Sequence, residues 1–149
     1  MILDILPYER VGDIYLGSKK DAINKALGDK FVFMTYDYST DTADYYKEYG
    51  LSFDYDDLKN CISINVEAPS VAIYDGIDVL RTSFSDLKSM FISKEKNAFV
   101  DDNNVLFLDL GIGLSFGDGE ELEGQSPTVL TIFIKGLFDK YIQEYERLW

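Results

Sequence analysis

The sequence predicts an α+β protein in which a β-α-β-β-β unit occurs twice in tandem and forms a largely antiparallel sheet, followed by a C-terminal amphipathic helix. The tetrapeptide GLSF occurs at 50–53 and again at 113–116, a helix-like pattern opens each half, and alternating apolar residues close each half. We therefore expect a single domain over 1–149, built of two repeats at about 8–68 and 72–135 and a helix at 136–149.

A short helix is predicted near the start of each repeat. In the first repeat, residues 18–28 contain a Ser-x-x-Asp capping box, apolar residues at helical spacing and a terminal glycine. Leu87 and Phe91 of the second repeat take the positions that Ile23 and Leu27 hold in the first. The two helices should therefore present equivalent apolar faces to the core.

Strands are predicted where β-branched and aromatic residues alternate with polar ones. The predicted strands are 31–38, 45–55 (with Gly50 as a bend), 61–66, 105–116 and 128–134. In the long strand 105–116 the apolar face contains Leu106 and Leu114, and Val105 and Phe107 point the other way. At the C-terminus, aromatic and apolar residues three to four apart predict a helix that docks on the sheet, with a partner-binding helix as the alternative.

No motif in the chain indicates catalysis. There is no histidine, no nucleotide-binding glycine motif and no cysteine pair. The single thiol, Cys61, is interpreted as a small buried hydrophobe, because a nucleophile would lack a histidine base. The acidic stretch 116–124 lacks the order of a calcium-binding loop and favours a solvated hairpin loop. We therefore expect no enzyme activity, no cofactor and no metal.

The formal net charge is −13, and both halves carry roughly twice as many acidic as basic residues. Such a charge repels the phosphates of nucleic acids and anionic membrane surfaces, and it attracts a basic protein. Acidity that only maintains solubility is the alternative. The N-terminus lacks the basic and apolar regions of a signal peptide, and no apolar run reaches the length of a membrane span, so we expect a cytoplasmic protein.

Tyrosines and carboxylates are concentrated in residues 35–57. Tyrosine is frequent at protein interfaces, and carboxylates pair with lysine and arginine, so this segment is a candidate contact surface. An ordinary solvated sheet face is the alternative. With the acidic loop at 116–124, the candidate partner-binding residues are Tyr38, Asp41, Asp44, Tyr45, Tyr46, Glu48, Asp54, Asp56, Asp57, Asp118, Glu120 and Glu121.

The small, acidic, histidine-free chain contains VGDIYLGSKKDAINKALGDK at residues 11–30, and within this stretch G-x-I-x-L-G-x5-I-x3-L-G runs from Gly12 to Gly28. This stretch is similar to a strand-helix unit of assorted small bacterial α/β domains. The chain resembles the immunity proteins of polymorphic-toxin and contact-dependent growth-inhibition systems. The resemblance implies that the protein binds and neutralises one cognate toxin, often a basic nuclease. A non-catalytic adaptor or complex subunit that binds another basic protein is the alternative.

Overall fold

The computed structural model describes residues 1–35, 42–119 and 121–149. Within these ranges the chain is mixed α+β, mostly strand, as predicted, with two α-helices, α1 (Lys20–Leu27) and α2 (Phe84–Phe91). The described strands are β1 (Ile2–Leu6), β2 (Arg10–Val11), β3 (Ile14–Tyr15), β4 (Val32–Thr35), β5 (Thr42–Tyr46), β6 (Leu51–Tyr55), β7 (Cys61–Glu67), β8 (Val71–Tyr74), β9 (Ile77–Asp78), β10 (Ala98–Asp101), β11 (Asn104–Phe107), β12 (Ile112–Ser115), β13 (Val129–Phe133) and β14 (Glu146–Arg147).

The strands of the described ranges form two sheets. The larger has nine antiparallel strands in the order β14-β10-β11-β12-β13-β7-β6-β5-β4, and the smaller has five in the order β3-β2-β1-β8-β9. In the smaller sheet β1 and β8 are parallel, and its other pairs are antiparallel. The larger sheet contains two four-stranded meanders, β4 to β7 and β10 to β13, which meet where β7 pairs with β13. Each meander follows one of the helices along the chain.

One face of the larger sheet forms the hydrophobic core with the helices and the smaller sheet. Ile23 of α1 is buried, and the two aromatic residues of α2 pack edge-on against the sheet: Phe84 lies 5.0 Å from Phe116 and Phe91 lies 5.1 Å from Phe107 between ring centroids. Fully burying one such side chain stabilises the fold by about 1.5–3 kcal/mol. Helices of only two turns are not stable by themselves, so α1 and α2 depend on the packing of their apolar faces.

The two helices begin differently. Ser83 caps α2, since its Oγ accepts a hydrogen bond from the Asp86 N–H at 3.2 Å. The capping box predicted for α1 is wrong: the N-cap is Lys19, without a side-chain cap. Ser18 is held outside the helix because its carbonyl accepts the Cys61 N–H at 2.8 Å.

Both long strands predicted from the sequence are hairpins. The Gly50 N–H donates to the Tyr46 carbonyl at 2.9 Å, and the Gly111 N–H donates to the Phe107 carbonyl at 2.8 Å. The chain therefore reverses direction within four residues at each of these two places. Both glycines have positive φ, +65° and +84°, a conformation that L-residues with a side chain rarely adopt. One reversal therefore separates β5 from β6, and the other separates β11 from β12.

These turns change two expectations. In β11, Val105 and Phe107 face the core and Leu106 faces away from it, the reverse of the prediction, because the turn breaks the alternation before β12. The two GLSF copies are also not equivalent, since Gly50 lies in a turn and Gly113 lies inside β12.

A β-bulge shifts the face of the first residues of β7. Tyr55 lies opposite Cys61 and Asp54 lies opposite Ser63, so Ile62 is an extra residue without its own partner. Cys61 therefore takes the buried core position that was predicted for Ile62, which is only partly buried. Burial raises the pKa of the Cys61 thiol to about 12, consistent with its interpretation as a buried hydrophobe.

The C-terminal segment is not the predicted α-helix. Residues 136–149 contain turns, a 3-10 helix at Ile142–Glu144 and the short strand β14. The segment ends along the edge of the larger sheet, where the Leu148 N–H donates to the Ala98 carbonyl at 2.9 Å. A short isolated helix is only marginally stable in water, whereas pairing with β10 gives this segment hydrogen bonds to the sheet.

Two carboxylates tie the end of α2 to the turn between β11 and β12. The buried Glu95 carboxylate accepts the Asp109 N–H at 2.8 Å and the Asn97 N–H at 3.1 Å. In return, the Asp109 carboxylate accepts the Lys96 N–H at 2.7 Å and the Asn97 side-chain amide at 2.8 Å. Burial raises the pKa of Glu95, whereas hydrogen bonds from Asn97 and Lys96 lower the pKa of Asp109 to about 2.

We expect Asp109→Asn to destabilise the protein at pH 7 and to lose this effect in acid. Because the pKa of Asp109 falls from its ordinary 3.8 to about 2 on folding, its contribution is present above pH 3.8 and disappears as the pH falls towards 2. Asp109 is solvent-exposed, so the effect should be about 1 kcal/mol or less. Urea unfolding between pH 7 and pH 2 measures it, with Asp118→Asn as the control. A difference from wild type that stays constant with pH would contradict the assignment.

We expect Gly50→Ala to destabilise the protein strongly. The positive φ alone costs about 1–2 kcal/mol for alanine. In addition, a Cβ at residue 50 would overlap the Glu67 carbonyl oxygen and lie 2.6 Å from that of Ala68. Gly124→Ala is the matched control, since Gly124 has open space around it. Thermal and urea unfolding measure both variants, and equal stability would show that the turn is not constrained.

Candidate functional site

The face of the larger sheet opposite the core carries a groove of about 420 Å³. Strands β6, β7, β13, β12 and β11 form its floor. Tyr45 lines one side, and Phe138 and Tyr145 of the C-terminal segment line another. Phe138 is held there by an edge-on contact with Phe133, at 4.8 Å between ring centroids.

Strand pairing places a continuous row of side chains across this floor. Residues directly opposite each other on neighbouring antiparallel strands share a face of the sheet. From β5 to β11, the row consists of Tyr45, Ser52, Asn65, Thr131, Gly113 and Leu106. Its middle is therefore polar, and Gly113 leaves the floor without a side chain at one point.

The polar part of the floor is a hydrogen-bonded ladder centred on Asn65. The Thr131 hydroxyl donates to Asn65 Oδ1 at 2.6 Å, and the Asn65 side-chain amide donates to Ser52 Oγ at 3.0 Å. Asp54 accepts hydrogen bonds from the Ser63 hydroxyl and, at 3.4 Å, from the Asn65 amide. The ladder links β6, β7 and β13 and fixes the orientation of the Asp54 carboxylate.

Glu67 lies two residues after Asn65 along β7, beside Tyr45. A hydrogen bond to the Glu67 carboxylate raises the pKa of the Tyr45 phenol, because it stabilises the neutral hydroxyl as donor. Among the described residues that line the groove there are two carboxylates, Asp54 and Glu67, and no lysine or arginine. The groove therefore combines negative charge, fixed polar groups and aromatic walls.

Two of the predicted contact residues, Tyr45 and Asp54, lie in the groove. Asp44 and Tyr46 are buried on the core side, which excludes them from a partner surface. Asp44 pairs with Lys20 of α1 at 3.2 Å, and the Tyr46 hydroxyl donates to Asn24, so both residues fasten α1 to the sheet.

The remaining predictions fall outside the groove. Asp56 accepts the Leu58 and Asn60 N–H groups at 3.0 and 2.9 Å and thereby shapes the turn between β6 and β7. Four more of the predicted contact residues are exposed but do not line the groove: Glu48, Asp57, Asp118 and Glu121. The predicted residues Tyr38, Asp41 and Glu120 lie outside the described residues.

Sequence reasoning missed Ser52, Ser63, Asn65, Glu67 and Thr131. The available signal was the alternation of these polar residues with apolar ones in β6, β7 and β13. Alternation identifies an outward face, but it does not show which distant strands place their outward residues side by side.

No family model matches the chain, and comparisons with curated proteins and solved structures gave no significant match. Neither helix in the described ranges is long and apolar enough to cross a membrane. Within the same ranges, no three acidic or cysteine side chains are grouped closely enough to hold a metal ion. The groove itself supplies charge, hydrogen bonds and aromatic contact surface, which are the elements of recognition.

We expect Glu67→Gln to move the pKa of Tyr45 back towards 10.0, because an amide stabilises the neutral phenol less than a carboxylate does. NMR titration of the Tyr45 ring carbons in alkali measures the change. Asp118→Asn, which alters an exposed residue that does not line the groove, should leave the titration unchanged. Identical titrations for wild type and Glu67→Gln would contradict the Tyr45–Glu67 contact.

Proposed function

We propose that this protein is an acidic, non-catalytic binding protein that neutralises a cognate basic toxin, of the nuclease type, by direct contact in the cytoplasm. The observation that carries the proposal is the groove: it is lined by Asp54 and Glu67 without a lysine or arginine among its described residues. The net charge of −13 points to the same class of partner. Nucleases bind phosphates through lysine and arginine, so their substrate-binding surfaces complement such a groove.

The composition of the groove suits protein recognition. Tyr45, Phe138 and Tyr145 offer rigid apolar surface of the kind that anchors protein interfaces. The ladder around Asn65 keeps its polar groups hydrogen-bonded to one another, which limits the cost of removing water from them. Little side-chain freedom would be lost on binding, because these groups are already ordered.

We also propose that the two halves arose by duplication of one unit. Helices α1 and α2 each contain eight residues, and each is followed by a four-stranded meander. The second hairpin of the first meander turns at Gly50 and that of the second meander turns at Gly111, with the same backbone hydrogen bond and positive φ. The equivalent glycine is therefore Gly111 rather than the Gly113 of the second GLSF.

The test is to identify the candidate toxin among the neighbouring genes and to express its toxic domain with and without the protein. We expect survival only when both are present, and a stable complex on gel filtration. Association should slow by about tenfold or more between low and high ionic strength, because salt shortens the Debye length from about 10 Å at 0.1 M to about 3 Å at 1 M. Equal killing in both cultures, with no complex, would refute the proposal and favour the adaptor alternative.

A further inference from the structure

We propose that the groove binds two arginine side chains that lie four residues apart on an extended segment of the partner. This inference rests on the proposed function, from which it takes a basic protein as the partner. It adds which side chains of that partner the groove binds. Both carboxylates that line the groove, Asp54 in β6 and Glu67 in β7, are available to such a segment.

The spacing of the two carboxylates gives the spacing of the arginines. Asp54 lies opposite Ser63, and Glu67 follows Ser63 by four residues along β7. A strand rises about 3.3 Å per residue, so the backbone positions that carry the two carboxylates lie about 13 Å apart along the strand direction. An extended segment lying along β7 presents the side chains of its first and fifth residues on one side, about 13 Å apart. Each could therefore reach one carboxylate.

The surroundings of the carboxylates favour arginine over lysine. Guanidinium groups pair with carboxylates through two parallel hydrogen bonds and stack on aromatic rings, whereas an ammonium group does neither as well. Tyr45 adjoins Glu67, and Phe138 and Tyr145 line the same groove. Asp54 is already oriented, because its Oδ2 accepts hydrogen bonds from Ser63 and Asn65.

Other occupants fit the groove less well. An apolar segment would cover Ser52, Asn65 and Thr131 and exclude water from the carboxylates without pairing them. A phosphate group would meet the negative charges of Asp54 and Glu67 with no cation among the described lining residues. A basic protein segment is the occupant that the charge and the polar floor favour.

The test is an NMR titration of the ¹⁵N-labelled protein with the capped peptide Gly-Arg-Ser-Gly-Ser-Arg-Gly. We expect saturable shifts concentrated in the amides of 52–54 and 63–67. Three peptides serve as controls: one with citrulline in place of arginine, one with lysine, and one with the arginines three residues apart. The citrulline peptide should bind at least about tenfold more weakly, since it keeps the shape of arginine without its charge. The peptide with lysine and the peptide with its arginines three residues apart should bind several-fold more weakly.

Matched variants locate the binding site. The double variant Asp54→Asn with Glu67→Gln should weaken binding by at least about tenfold, and each single variant should weaken it less. The double variant Asp118→Asn with Glu121→Gln changes the net charge equally outside the groove and should have less than about a twofold effect. A spectrum with the chemical-shift dispersion of wild type shows that a variant is folded. If the double variant in the groove is unfolded, the two single variants are used in its place.

Any of three results would overturn the arginine proposal. These are equal weakening by the two double variants, binding of the citrulline peptide as tight as that of the arginine peptide, and shifts concentrated outside the groove. Protection from the toxin would then still stand, and its interface would lie on another surface. Conversely, specific peptide binding without toxin protection would refute the proposed function and retain the arginine site.

Discussion

Strands β7 and β13 pair at the centre of the larger sheet, and their register decides which side chains form the core and which form the groove. Val66 and Leu130 lie opposite each other in the core, and the neighbouring pair, Asn65 and Thr131, lies in the groove. A slip of one residue would exchange the two faces and bury the polar pair. Because one meander continues from each of these strands, the core and the groove depend on the same register.

The polar ladder also distinguishes registers that the core does not. A slip of two residues would keep every side chain on its face, and aliphatic residues of β7 such as Ile64 and Val66 would still meet aliphatic residues of β13. The hydrogen bond from Thr131 to Asn65 forms in the observed register and would be lost after such a slip. The groove floor therefore contributes to the specificity of the fold as well as to the proposed binding surface.

The features that could be predicted from the sequence are local ones, and the features that could not are long-range. The mixed α+β class, the two short helices and the central alternating strands depend on spacing within a few residues. The turns at 47–50 and 108–111 were missed because their residues continue the alternating pattern, and the reversals depend on glycines at positive φ. The helical spacing of 136–149 was overridden by pairing with β10. The contact of Asn65 with Thr131 joins distant parts of the chain, so no local pattern indicates it.

The negative charge of the protein acts over two distances. Within a Debye length of about 10 Å, exposed acids outside the groove, such as Asp57 and Asp118, would add to the attraction for the proposed basic partner but would not select its shape. In the groove, Asp54 is held by hydrogen bonds from Ser63 and Asn65, and Glu67 lies beside Tyr45. Solubility requires charge but no such orientation. If the protein binds the proposed basic partner, we therefore expect the carboxylates of the groove, rather than the solvated acids, to discriminate among basic partners.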